Sequence, residues 1–313
     1  MILSVSRRTD IPNYYSEWFL NRIKEGYLYV RNPFHARQVS KITVSPERVD
    51  CIVFWTKNPE PMFSRLDELD AYPYYFQFTL TGYGRDIESH IPHKKKVMIP
   101  IFQTLSDRIG REKVIWRYDP ILFTDRYSPQ YHIRAFEQIA KELHGYTSKC
   151  VLSFVDLYAK NKKSMEELRC FSLTEQDLTA FAAEIAQIAD RYGMRAASCA
   201  EAADWSSVGI EHSCCIDKEL IEHISGCKIR AGKDRNQRNE CGCIESIDVG
   251  AYDTCRNGCR YCYANDSPER VLQNCRLYDA HSPLLCGSLT KDDRMTERDA
   301  KSWKENQLTL WEL

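Results

Sequence analysis

The sequence predicts an α/β fold, and three observations carry that prediction. Short runs rich in β-branched and aromatic residues recur through the first two-thirds of the chain. Amphipathic stretches with recognisable helix ends separate them. The runs are apolar on both faces, as in parallel strands covered on each side. Such repetition fits a (β/α) barrel of TIM type, partial or nearly complete, or a doubly wound sheet.

The predicted strands are Ile2–Ser6, Cys51–Thr56, Tyr75–Thr81, Val114–Tyr118, Val151–Val155 and Arg195–Cys199. One helix starts at Ser128-Pro129, a cap followed by a first-turn proline. Ile133, Phe136, Ile139, Ala140 and Leu143 give it one apolar face, and Gly145 stops it. Another starts at Thr174 with Asp177 three residues on. It runs apolar through Leu178, Phe181, Ile185 and Ile188 and ends at Gly193. The strand–helix repeats occupy residues 1–200. A cysteine-rich region follows at 201–275, containing a strand-like segment 244–250, a loop 255–262 and a short helix Pro268–Cys275. A polar tail fills 276–313.

Composition narrows the function classes. The 313 residues are 43% hydrophobic and 28% charged with a formal net charge of −1. That balance gives no global electrostatic reason to bind nucleic acid or an anionic membrane. No run of 18 apolar residues offers a bilayer span. The first residues lack the charge order of an export signal. The expected location is therefore the cytoplasm, where fourteen cysteines point to metal or redox centres instead of disulfides.

Cys255, Cys259 and Cys262 stand as C-x3-C-x2-C. Three thiolates at this spacing can hold three irons of a 4Fe–4S cluster, leaving the fourth iron open to a small molecule. Zinc is the alternative, although its sites usually use paired C-x2-C units. Cys199, Cys214, Cys215, Cys227, Cys241 and Cys243 remain. From these, Cys199, Cys215, Cys241 and Cys243 form a possible second all-cysteine site for iron–sulfur or zinc, with core packing as the competing role. Cys51, Cys150, Cys170, Cys275 and Cys286 lack partner spacing and read as packing. The basic runs Lys228–Arg238 and His93–Lys96 read as solvated surface.

The three-cysteine spacing, with Tyr261 before the last cysteine, resembles the radical S-adenosylmethionine (SAM) enzymes. The resemblance implies that the open iron chelates the SAM amine and carboxylate. One electron then cleaves the sulfonium, giving a 5′-deoxyadenosyl radical that abstracts hydrogen. It also implies a one-electron donor such as flavodoxin or ferredoxin. In that superfamily the loop follows the first barrel strand, whereas here it lies near the C-terminus. A circular permutation accounts for this if 244–250 is the family's first strand and 2–6 its second. The two should then pair in parallel.

Strand C-termini face the active site in such barrels. The residues there are Arg7, Arg8 and Asp10; Lys57 and Asn58; Thr79 and Thr81; Arg117 and Asp119; Asp156; and Glu201. Asp10 could accept from the SAM ammonium. Arg117 could pair with the SAM carboxylate or, equally, with Asp119. Tyr261 would lie near adenine or cluster, or merely fill space. Thr79 and Thr81, flanking Leu80, could share a face and meet the ribose, or pack inside the barrel. Arg7, Arg8, Lys57, Asn58, Asp119, Asp156 and Glu201 are substrate candidates.

Ser6-Arg-Arg-Thr-Asp-Ile-Pro12, Val53-Phe-Trp-Thr-Lys-Asn-Pro59, Trp116-Arg-Tyr-Asp-Pro120, Cys241-Gly-Cys243 and Asp253-Thr-Cys through Tyr261-Cys-Tyr-Ala264 together resemble the uncharacterised family called domain of unknown function 1848. The Arg-x-Asp-Pro element is also similar to the spore photoproduct lyase branch. That likeness implies repair or modification of a nucleic-acid lesion as an alternative to a small-molecule or other macromolecular substrate. A non-catalytic iron–sulfur or zinc protein is the remaining reading.

Overall fold

The computed structural model describes residues 1–298 and 300–305. Residue 299 and residues 306–313 of the predicted tail lie outside the described residues. In chain order the elements are β1 (Ile2–Val5), α1 (Ile11–Tyr14), α2 (Ser16–Glu25), β2 (Tyr27–Arg31), β3 (Gln38–Thr43), β4 (Cys51–Thr56) and β5 (Tyr74–Thr79). Then come α3 (Ile99–Ile109), β6 (Val114–Ile121), α4 (Pro129–Leu143), β7 (Lys149–Phe154), α5 (Lys162–Glu167), α6 (Glu175–Arg191) and β8 (Arg195–Cys199). Last are β9 (Ile210–Ser213), α7 (Lys218–Ser225), β10 (Ile247–Asp248), α8 (Pro268–Cys275) and β11 (Arg294–Glu297). A 3₁₀ segment, Glu60–Leu69, joins β4 to β5.

Eight strands form one parallel sheet in the order β10-β1-β4-β5-β6-β7-β8-β9. The expected contact is present. β1 pairs in parallel with β10, Leu3 against Ile247 and Ser4 against Asp248. The strand predicted at 244–250 shortens to two residues, because residues 241–246 turn away toward β9. β5 ends at Thr79, two residues before the predicted end. β2, β3 and β11 make a second, three-stranded sheet that the sequence reading missed; their mixed polar faces carry no clean alternation.

Side-chain alternation gives the large sheet two faces. Leu3, Ile52, Phe54, Phe76, Trp116 and Leu152 meet the helices through Phe19, Phe102, Phe136 and Phe181. Ile2, Val53, Tyr75, Ile115 and Val151 point the other way, onto Ile216, Ile221 and Ile244. The sheet is open, with β10 and β9 as its edges, yet it curls strongly. The Tyr75 hydroxyl on β5 donates to the Cys215 carbonyl just past β9, at 2.5 Å. Four strand spacings would separate those strands by about 19 Å if the sheet were flat. The Ile244 amide ahead of β10 also reaches the Ile216 carbonyl beyond β9, at 3.3 Å.

Caps fall where the sequence placed them. Ser128 accepts from the Tyr131 amide and Thr174 from the Asp177 amide, each worth about 1 kcal/mol. His132 on α4 is wholly buried. Its Nε2 lies 3.0 Å from the Leu122 carbonyl and so carries the proton, leaving Nδ1 to accept from the Tyr118 hydroxyl at 2.8 Å. Burial lowers its pKa to about 4. Between that value and about 6.5 the unfolded chain takes a proton that the folded chain refuses. Stability should therefore fall as pH drops through this window, by about 2 kcal/mol at pH 5. Urea midpoints at pH 7 and 5 check this; His132→Gln should flatten the difference. Among the described residues no helix is long and apolar enough to cross a membrane.

Candidate functional site

The C-terminal strand ends converge on one cavity of about 430 Å³, reached by Arg7 after β1, Trp55 on β4, Thr79 on β5, Arg117 on β6 and Ser153 on β7. This is inside the range of roughly 300–1,000 Å³ typical of small-molecule sites. Cys255, Cys259 and Cys262 all line it, on the loop that β10 delivers.

That loop is clamped from two sides. Asn257 donates to Asp10 at 2.9 Å and accepts from Tyr14 at 3.0 Å, while the Tyr15 hydroxyl donates to the Thr254 carbonyl at 2.7 Å. From the β5–α3 connection, the His90 amide donates to the Asn257 carbonyl, and the Arg260 amide reaches the Ile87 carbonyl at 2.9 Å. All three thiols are free. Burial raises each of their pKa values, Cys259 to about 12 despite the opposing charge of Lys57. Such thiols ionise readily only when a cation replaces the lost water. Among the described residues no three His, Cys, Asp or Glu side chains gather tightly enough for a single ion.

Beside the loop lies a buried ionic knot. Glu88, 1% exposed, accepts from Lys57 Nζ at 2.7 Å and Thr81 Oγ1 at 2.9 Å, and also from Lys94 and the Tyr261 hydroxyl. Burial alone would raise the Glu88 pKa, but Lys57 and Lys94 outweigh it and hold the carboxylate ionised. The sequence reading missed Glu88, which no local pattern marks, and misplaced Lys94, which turns inward from the run read as solvated.

Several expected roles change. Asp10 is buried and spends its acceptors on the Thr56 hydroxyl (2.7 Å), the Lys57 amide (2.8 Å), Asn257 and the Asn13 amide (3.2 Å). It positions the cysteine loop and has no lone pair left for an ammonium. Arg117 takes the alternative role: Nε and Nη2 both reach Asp119 Oδ2, Nε at 2.8 Å, and Nη1 reaches Cys215 Sγ at 2.8 Å. Thr79 lines the cavity but Thr81 faces Glu88, because the strand ends between them. Asn58 bonds Asn13 and Glu201 accepts from the Phe154 amide; neither lines the cavity. Burial raises the Glu201 pKa to about 7.

The other candidates line the cavity. Tyr261 lines the cavity with its hydroxyl anchored on Glu88, and Lys57 and Asp119 line it in ion pairs. Asp156 lines it too, paired with Arg238, which brings the end of the second basic run into the site. Arg7 stacks over Trp55 at 5.0 Å, and its buried Nη2 has no hydrogen-bond partner. Arg8 stacks over Tyr252 and spends Nη1 on the Gly250 carbonyl at 3.3 Å. These two arginines, not Arg117, have donors to spare.

The four remaining candidate cysteines also meet at this cavity. Cys199 Sγ lies 3.1 Å from Cys215 Sγ. Cys215 in turn contacts Cys243, and Cys243 contacts Cys241. Cys214 stays at the border of the apolar cluster and Cys227 lies beyond α7.

No curated protein and no solved structure matches the chain. The family model described as Domain of unknown function (DUF1848) matches residues 2–264, and the chain belongs to that family.

Proposed function

We propose that the protein is a radical SAM-type enzyme whose 4Fe–4S cluster is held by Cys255, Cys259 and Cys262. One observation carries the reading: three free, half-buried thiols, with no fourth from their own loop, open into the cavity made by parallel strand ends. The parallel pairing of β1 with β10 and the curl of the sheet support a partial, circularly permuted barrel. When bound, the cluster would supply one electron for reductive cleavage of SAM, and an external one-electron donor would restore it.

The chain's own groups bind and orient. Asp10 and Asn257 fix the loop against β4, and Glu88 fixes Tyr261 between two of the cysteines. Arg7 and Arg8 offer guanidinium donors to a carboxylate or another anion. Trp55, Tyr158 and Tyr263 offer aromatic faces to the same cavity. Thr79 leaves a hydroxyl at its rim.

Anaerobic reconstitution with iron and sulfide, followed by SAM and a reductant, tests the proposal. Formation of 5′-deoxyadenosine is expected, falling at least a hundredfold in Cys259→Ala. A reconstituted chain that leaves SAM intact and whose cluster EPR signal is unchanged by SAM would sink it.

A further inference from the structure

We propose that Cys199, Cys215, Cys241 and Cys243, which without metal form a row and not a closed shell, draw together around one divalent ion as a second metal site separate from the three-cysteine loop. The four side chains come from three places: the end of β8, the turn after β9 and the Cys241-Gly-Cys243 segment ahead of β10. They are 7%, 7%, 6% and 1% exposed, and all are free thiols. The sulfurs form a row in which each touches the next, beginning with the 3.1 Å contact of Cys199 and Cys215.

Spacing limits what such a row can be. Zinc–sulfur bonds of about 2.3 Å in a tetrahedron put the sulfurs about 3.8 Å apart. A disulfide needs about 2.05 Å. Opening the Cys199–Cys215 contact by about 0.7 Å reaches the first, and the ends of the row must swing together to close the shell. A cube needs a wider opening.

The surroundings suit thiolates. Arg117 Nη1 donates to Cys215 Sγ at 2.8 Å, the Ile216 amide donates to Cys243 Sγ at 3.3 Å, and Arg7 bonds Cys243. Tyr75 and Gln77 hold the Cys215 carbonyl at 2.5 and 2.9 Å, which fixes the backbone carrying that sulfur. Donors of this kind orient and tune metal ligands. Arg117 already pairs with Asp119, so four thiolates would keep a net negative charge that a divalent ion reduces. Four protein ligands also leave no open position, so the site steadies the fold where β9 and β10 approach instead of activating substrate.

The test uses the full chain with Cys255→Ala, Cys259→Ala and Cys262→Ala, purified anaerobically and titrated with zinc or with cobalt(II) as optical probe. Binding of one equivalent is expected, with thiolate-to-cobalt charge-transfer absorption, and at least tenfold weaker binding when Cys215→Ala and Cys243→Ala are added. No binding by a triple variant that melts like wild type would overturn the site. So would a Cys199–Cys215 disulfide in peptide maps of the anaerobic protein. Should the triple variant fail to fold, native mass spectrometry of the wild-type chain decides. Two separate occupants support the site, whereas a single occupant lost in Cys255→Ala overturns it. Four irons with sulfide in the triple variant would overturn the single-ion geometry. None of these readouts depends on SAM cleavage, so failure of the radical SAM reading shows separately.

Discussion

Glu88→Ala should destabilise the protein by about 3–5 kcal/mol, the usual cost of removing one partner from a buried ion pair. Glu88 is the common acceptor for two lysines, a threonine and Tyr261. Without it, Lys57 is left 8% exposed and facing a second ammonium. Tyr261 also loses its anchor between Cys259 and Cys262, so iron uptake should fall with stability. Glu88→Gln keeps the shape and an acceptor but loses the charge, and should lie between. Denaturant midpoints and iron per chain measure both effects. A Glu88→Ala variant within 1 kcal/mol of wild type would show that the knot does not hold the site together.

Gly250→Ala should have the second largest effect. Gly250 ends the turn out of β10, where an added Cβ would fall 2.0 Å from Ser6 Oγ and 2.7 Å from Ser6 Cβ. Such an overlap cannot be relieved by a rotamer change, because Ser6 Cβ is fixed to the backbone after β1. The two strand ends must separate, and Asp248 would lose its bonds from Ser4 and Ser6, both 2.7 Å. A loss of about 2–4 kcal/mol, the cost of overpacking plus broken buried hydrogen bonds, is expected. The cysteine loop starts five residues later, so iron binding should weaken as well. Ser6→Gly in the same chain removes both clashing atoms and should recover part of the loss. Thermal melts of the single and double variants give the comparison, and absence of any recovery would place the effect elsewhere.

Sequence alone showed the parallel sheet because β4, β5 and β7 are largely apolar runs with breaks at both ends. Those strands lie within two residues of their predicted bounds. It missed β2, β3 and β11: β2 and β3 pair with each other without clean alternation, β11 joins β3 from far along the chain, and few of their side chains are fully buried. The cysteine loop was legible from spacing, and the quartet from elimination. Roles at the cavity were less legible, since a carboxylate such as Asp10 reads the same whether its acceptors are free or filled. Only the fold shows that Thr56, Lys57, Asn13 and Asn257 converge on it. Glu88 carries no signal of its own, because its partners come from four separated segments.

β1 lies between β4 and β10, and Ser4 and Asp248 are 244 residues apart in the chain. At ribosomal rates of about 5–20 residues per second, the first strand waits roughly 10–50 s for its second neighbour to be synthesised. Throughout that interval one flank of the nascent sheet offers unpaired amides and carbonyls, a template for the wrong partner. Ordering of the cysteine loop thus waits on synthesis of β10, and chains released before residue 250 should be the ones that aggregate.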